Sequence, residues 1–116
     1  GTGKGTVAKH FGALFGQHAL AYAARILQEA GGTEQERLNW AFRTAVSRDV
    51  LPREAELLLA LQQENQEQYR RDPAAADALL ATGAKPAPEG MDRTELAAWT
   101  AVARVILNLS ETITRP

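Results

Sequence analysis

Leu96-Ala97-Ala98-Trp99-Thr100-Ala101-Val102-Ala103-Arg104-Val105-Ile106-Leu107-Asn108-Leu109 is the stretch whose reading decides the fold. Leu96, Trp99, Val102, Ala103, Val105, Ile106, Leu107 and Leu109 spread apolar side chains over more than half of a helix's circumference, and Arg104 is the single charged interruption. A helix apolar on so many sides must be covered on as many, so it is predicted to be the most buried element, with Trp99 in the core. Asp92 followed three residues later by Glu95 marks its start as a capping box, and Met91 and Leu96 are placed for the hydrophobic staple around that box.

Working back toward the amino end, the run from Ala84 to Gly90, with prolines at 86 and 88, cannot continue a helix. Before it, Asp72-Pro73 reads as cap and first helical residue and Gly83 as terminator, which predicts a short helix over Ala74 to Thr82 with Leu79 and Leu80 inward. The preceding helix opens at Pro52, whose fixed φ and missing donor suit a first turn, although Leu51 is a poor cap in front of it. Its apolar residues are Ala55, Leu58, Leu59 and Leu61; the polar run Gln62 to Gln68 then predicts a second half that projects into solvent. Thr33 with Glu36 caps another helix, with Leu38, Ala41, Phe42, Ala45 and Val46 inward and a fade at Arg48-Asp49. A first helix follows Phe11, Leu14, Phe15, His18, Tyr22, Ile26 and Leu27, and Gly31-Gly32 is expected to end it in a left-handed turn. No segment alternates with period two and no hairpin dipeptide occurs, so the predicted class is all-α, a compact bundle of four to five helices with a buried C-terminal helix.

Gly1-Thr2-Gly3-Lys4-Gly5-Thr6 lacks periodicity, so residues 1–9 read as a linker or cloning scar and residues 10–116 as a single helical domain. Without an initiator methionine or a secretion signal, either a leader has been removed or the chain is a part of a longer protein, and the second is the expectation. With 13 Lys and Arg against 14 Asp and Glu, the net charge of −1 offers no field for nucleic-acid phosphates, and no apolar run is long enough for a membrane span. The absence of cysteine rules out disulfides, thiolate metal sites and a Cys-x-x-Cys-His haem attachment.

The terminal helix just quoted, with Glu111 after it, closely resembles the last helix of a planctomycete-type domain of unknown function, which ends large secreted bacterial proteins that often carry an N-terminal cytochrome c domain. Two further segments resemble that family in order. One is Arg37-Leu38-Asn39-Trp40-Ala41-Phe42-Arg43 running to Arg48, and the other runs from Tyr69 through Asp72-Pro73-Ala74-Ala75 to Leu79-Leu80 and Gly83. Ser110, Thr112 and Leu51 depart from the family pattern, in which an acidic residue, an aromatic residue and a Thr or Ser are common at those places. The resemblance implies a periplasmic or extracellular setting and a multidomain parent, and it implies no reaction.

The candidate chemistry is sparse. Gly-Thr-Gly-Lys-Gly-Thr lacks the strand and the Ser or Thr directly after Lys4 that a phosphate-binding loop needs. His10 and His18 would point ~80° apart on one helix without an evident third ligand, which suits an exposed His10 and a partly buried His18 better than a metal site. No cofactor is expected. Trp40, Trp99, Tyr22 and Tyr69 could form a flat ligand-stacking face, but their helical spacing favours packing, Trp40 excepted because it lies off the stripe of Leu38 and Phe42. Arg48 with Glu54 or Glu56, and Asn108 with Glu111, sit at helix ends, where an ion pair and a hydrogen-bonding network are the simpler expectation. Trp40, Arg48, Asn108 and Glu111 are therefore the candidate interaction residues. The first functional expectation is a non-catalytic structural or interaction module whose partners are the upstream domains of its parent protein. Its rival is a subdomain supplying one wall of an active site in a cytochrome-linked oxidoreductase or polysaccharide-processing protein. The first predicts an exposed apolar or aromatic patch, and the second predicts a concave pocket with convergent polar groups and perturbed titrations.

Overall fold

The computed structural model describes residues 17–83 and 86–114, with side chains as far as residue 110. Its helices are α1 (17–29), α2 (Glu34–Val46), α3 (Pro52–Arg71), α4 (Pro73–Leu80) and α5 (Arg93–Thr114), and no strand occurs among the described residues. The chain is all-α, with its C-terminal helix packed against the others. The expectations for Gly1 to Thr6, His10, Phe11, Leu14 and Phe15, and for the side chain of Glu111, lie outside the described residues.

Direction within the bundle follows from a few polar ties. Arg37 near the start of α2 pairs with Glu95 near the start of α5 at 3.2 Å, and the Ser110 hydroxyl near the end of α5 donates to the Ala45 carbonyl near the end of α2 at 2.7 Å. The two helices therefore run side by side in the same direction. α3 begins beyond the turn that ends α2 and leads into α4, whose Asp77 pairs with Arg93 at the start of α5, so α3 runs antiparallel to α5. α5 packs against α2, α3 and α4, and its contact with α3 is the most extensive in the bundle.

That central position explains the burial along α5. Leu96, Ala97, Ala98, Trp99 and Thr100 are all buried in succession, and Val102, Ala103 and Ile106 continue the core below them. Arg104, the predicted interruption, is exposed. Against this helix stand Leu38, Ala41 and Phe42 of α2, Ala55 and Leu58 of α3, Ala76 and Leu80 of α4, and Ala19, Leu20, Tyr22, Ala23 and Ile26 of α1. The Thr100 hydroxyl, buried with them, donates back to the Leu96 carbonyl at 2.8 Å. At the start of the helix Asp92 accepts from the Thr94 and Glu95 N–H groups, at 2.9 and 3.3 Å. Only half of the expected capping box forms, because Glu95 turns to Arg37 instead of reaching back to the cap.

Four expectations change. Neither Gly31 nor Gly32 is left-handed; among the described residues the left-handed ones are Ser47, which caps α2 at φ 64°, and Gly90, before α5, at φ 80°. At Gly31 the exposed Glu36 carboxylate folds over the backbone, and a Cβ there would displace only the far end of that flexible side chain. His18 is exposed, because the buried register of α1 runs through Ala19, Tyr22, Ala23 and Ile26. Trp40 is half-buried rather than freely exposed. The polar half of α3 does not simply leave the bundle: Gln62 is fully buried, and Asn65, Gln66 and Tyr69 are half-buried along the same face.

Candidate functional site

The turn from α2 to α3 is built by charge. Leu51 has no side-chain acceptor for the donors at the start of α3, so Glu54 reaches back and accepts from the Leu51 N–H at 3.0 Å. Arg48 grips the same carboxylate with both ends of its guanidinium, Nη1 to Oε1 and Nη2 to Oε2, each at 2.8 Å. This fork and the Leu51 N–H hold the Glu54 carboxyl down at about 2. The guanidinium also lies 5.3 Å from the centre of the Phe42 ring, which ties the turn to the core. Beside it Arg43 pairs with Asp49 and lowers the Asp49 carboxyl, chiefly by a hydrogen bond. The sequence left Arg48 a choice of Glu54 or Glu56. Glu54 is the third residue of a helix that opens at Pro52, the position from which a side chain can reach back to the cap, and that register was the signal.

The choice leaves Glu56 free. α2 and α3 each lie along α5 and touch one another little, so a cleft of about 530 Å³ opens between them. Gln35 and Asn39, one turn apart on α2, form one wall; Val50, Pro52, Ala55 and Leu59 supply apolar surface; Asp49 and Glu56 are the carboxylates. Arg43 occupies Asp49. Within the described residues the side chains of Gln35, Asn39 and Glu56 make no hydrogen bond or ion pair. In the sequence Glu56 stood out only as an alternative partner for Arg48, and nothing singled out Gln35 and Asn39 as site residues, although they stand four apart on one helix face.

A second concavity of about 430 Å³ lies between α1 and the segment before α5, with Leu20, Ala24, Leu80, Pro86, Ala87 and Leu96 among its lining residues. It holds no carboxylate. Close by, Trp40 stands 6.1 Å from the Tyr22 ring, centre to centre, and the Arg25 guanidinium lies 5.4 Å over the Trp40 ring. Arg25 itself pairs with Glu29 at 3.0 Å. The Tyr22 hydroxyl donates to the Ala41 carbonyl at 2.6 Å, and burial pushes this phenol up to about 12. Trp40 thus fastens α1 to α2 as well as facing solvent.

Of the other sequence candidates, Asn108 is exposed on α5, and the side chain of Glu111 lies outside the described residues. Arg48 and Trp40 occupy separate settings, one in the α2–α3 turn and the other on the α1–α2 face. Large apolar side chains stand exposed at Leu51 and Leu57. Among the described residues no group of three or more His, Asp or Glu side chains is placed to hold a metal ion, and no helix is long and apolar enough to cross a membrane.

Comparison with known proteins finds no matching family model, no matching curated protein and no matching solved structure.

Proposed function

We propose that this chain is a helical interaction module, a C-terminal bundle of a larger exported protein that docks on the part of its parent lying upstream and carries out no reaction of its own. The observation that carries this proposal is the cleft between α2 and α3: it has the concavity expected of the rival active-site wall, but the shifted carboxyl in its lining, Asp49, is held by Arg43, and what is left is an apolar floor with unpartnered amide and carboxylate side chains. A surface of that kind suits adhesion to a polypeptide, where apolar area supplies affinity and a few polar groups fix register. The shifted carboxyls at the turn point the same way. Glu54 and Asp49 owe their shifts to arginines that brace the fold, so neither is poised to take up a proton near neutral pH. The periplasmic or extracellular setting, and the place at the end of a multidomain chain, rest on the resemblance of Leu96–Leu109 to the planctomycete-type domain.

The test is calorimetric titration of this domain with the upstream portion of the parent protein, made as a separate chain. Saturable binding with a Kd of about 10–100 µM or tighter is expected, and no heat of association at those concentrations overturns the proposal. Trp40→Ala should weaken the interaction only indirectly, by loosening α1 from α2.

A further inference from the structure

We infer that the cleft between α2 and α3 is a receptor for a lysine side chain presented by the docking polypeptide, an assignment that rests on the interaction-module proposal and names the chemistry of its contact. The lining contains no lysine, arginine or histidine. Its two carboxylates differ in availability, Asp49 being held by Arg43 and Glu56 being unpartnered among the described residues. Gln35 and Asn39 line the same cleft, and the amide of each, also unpartnered, can turn its carbonyl oxygen toward a bound donor. An ammonium group has three donors and no acceptor, which matches one carboxylate and two amide oxygens. Between these polar groups the surface is aliphatic: Val50, Pro52 and Leu59, with buried Ala55 beneath. A four-carbon stem can lie on such a floor while its charged head stays at the rim.

The helix starts nearby do not reverse this preference. The amino end of α3 carries partial positive charge, but Glu54 covers its first N–H at Leu51 and Pro52 has none to present. A planar guanidinium could take Glu56 with two parallel donors, as Arg48 takes Glu54, but its remaining donors are fixed in the same plane, whereas the three donors of an ammonium rotate to meet acceptors on separate helices. The arrangement therefore favours a compact ammonium over a fork.

The experiment is a nuclear magnetic resonance titration of the ¹⁵N-labelled domain with N-acetyl-lysine N-methylamide, alongside the norleucine analogue that keeps the stem and lacks the ammonium. Saturable shifts are expected at the side-chain amides of Gln35 and Asn39 and at the backbone of Val50 and Leu59. The norleucine analogue should give none, and Glu56→Gln should weaken binding about tenfold without altering the rest of the spectrum. Equal shifts from norleucine, shifts scattered over the surface, or unchanged binding by the Glu56→Gln domain would each overturn the assignment, and a tighter response to the arginine analogue would replace lysine by guanidinium. Calorimetry keeps the two proposals apart. If the upstream chain binds and Glu56→Gln makes no difference, the lysine receptor is wrong and the module stands. If the upstream chain does not bind while the lysine probe does, the module is wrong and the receptor stands.

Discussion

Leu96 to Thr100 of α5 and Gln62 to Gln68 of α3 lie on neighbouring antiparallel helices, and they respond to the same core in opposite ways. In α5 every residue of the stretch is buried, because α2, α3 and α4 surround the helix. In α3 the stretch splits by register: Gln62 is buried, Asn65 and Gln66 are half-buried, and Gln63, Glu64, Glu67 and Gln68 are exposed. Gln62 stands four residues after Leu58 and Tyr69 seven after Gln62, so the inward stripe of Ala55 and Leu58 continues through amides to an aromatic ring. Position on the helix, rather than polarity, decides what is covered.

The sharpest way to break the comparison is at its most apolar point. Trp99 is fully buried at the level where α5 is enclosed on all sides. Trp99→Ala should cost about 3–5 kcal/mol, a large part of the ~5–15 kcal/mol that holds a domain of this size together. Chemical denaturation followed by circular dichroism measures it. A midpoint that barely moves would mean that the enclosure of α5 contributes little to stability.

The legible parts of the fold were those where composition and register agree. Leu38 and Phe42, Ala55 and Leu58, and Trp99 with Ile106 are apolar residues at helical spacing, and each is buried where the spacing put it. The caps were legible too, since Thr33 accepts from the Glu36 N–H at 3.1 Å and Asp72 from that of Ala75 at 3.3 Å. What failed was judged by the polarity or the size of neighbours and not by register. Gln62 looked solvated because its neighbours are polar, although it stands four residues after Leu58 on the packed face. His18 looked half-inward by spacing from Phe15 and Tyr22, but the alanines at 19 and 23 define the packed face. The cleft was not legible at all. It depends on two helices lying along a third with little contact between them, and no periodicity in either helix encodes that placement.

A smaller effect separates register from polarity directly. The Gln62 side chain donates from Nε2 to Gln66 Oε1, while its own Oε1 is buried without a hydrogen-bond partner among the described residues. A buried acceptor left unpaired is costly, and an apolar group of similar shape in its place is neutral or stabilising. Gln62→Met should therefore raise the unfolding free energy by about 1 kcal/mol, while Gln63→Met on the exposed side should change it by less than about 0.5 kcal/mol. Equal effects at the two positions would show that the second half of α3 is not packed on α5. A clear loss at Gln62 would show that its amide is satisfied in solution.

The smallest effect concerns what aligns α3 with α5 in the first place. If the amides of the second half contribute little, the helix must be placed from its amino end, where Glu54 joins Arg48 to the Leu51 N–H. The Glu54 carboxyl is held at about 2 in the folded chain and returns to the ordinary carboxylate range, about 4.5, when the chain unfolds. A group whose folded pKa is depressed stabilises the fold only while it is ionised. Its contribution is complete above about pH 4.5 and is lost as the pH falls toward 2. Glu54→Gln keeps the shape, removes the charge, and should lower the midpoint at neutral pH by less than either Trp99→Ala or the gain from Gln62→Met, since the pair is only half-buried. Midpoints of the parent and Glu54→Gln domains, measured from pH 7 down to 2, should converge across that acid window. Because Arg48 stays charged throughout, the convergence reports protonation of Glu54 alone. Parallel curves with a constant gap would assign the loss to packing at the turn, and the placement of α3 would then rest on Ala55, Leu58 and the buried Gln62 instead.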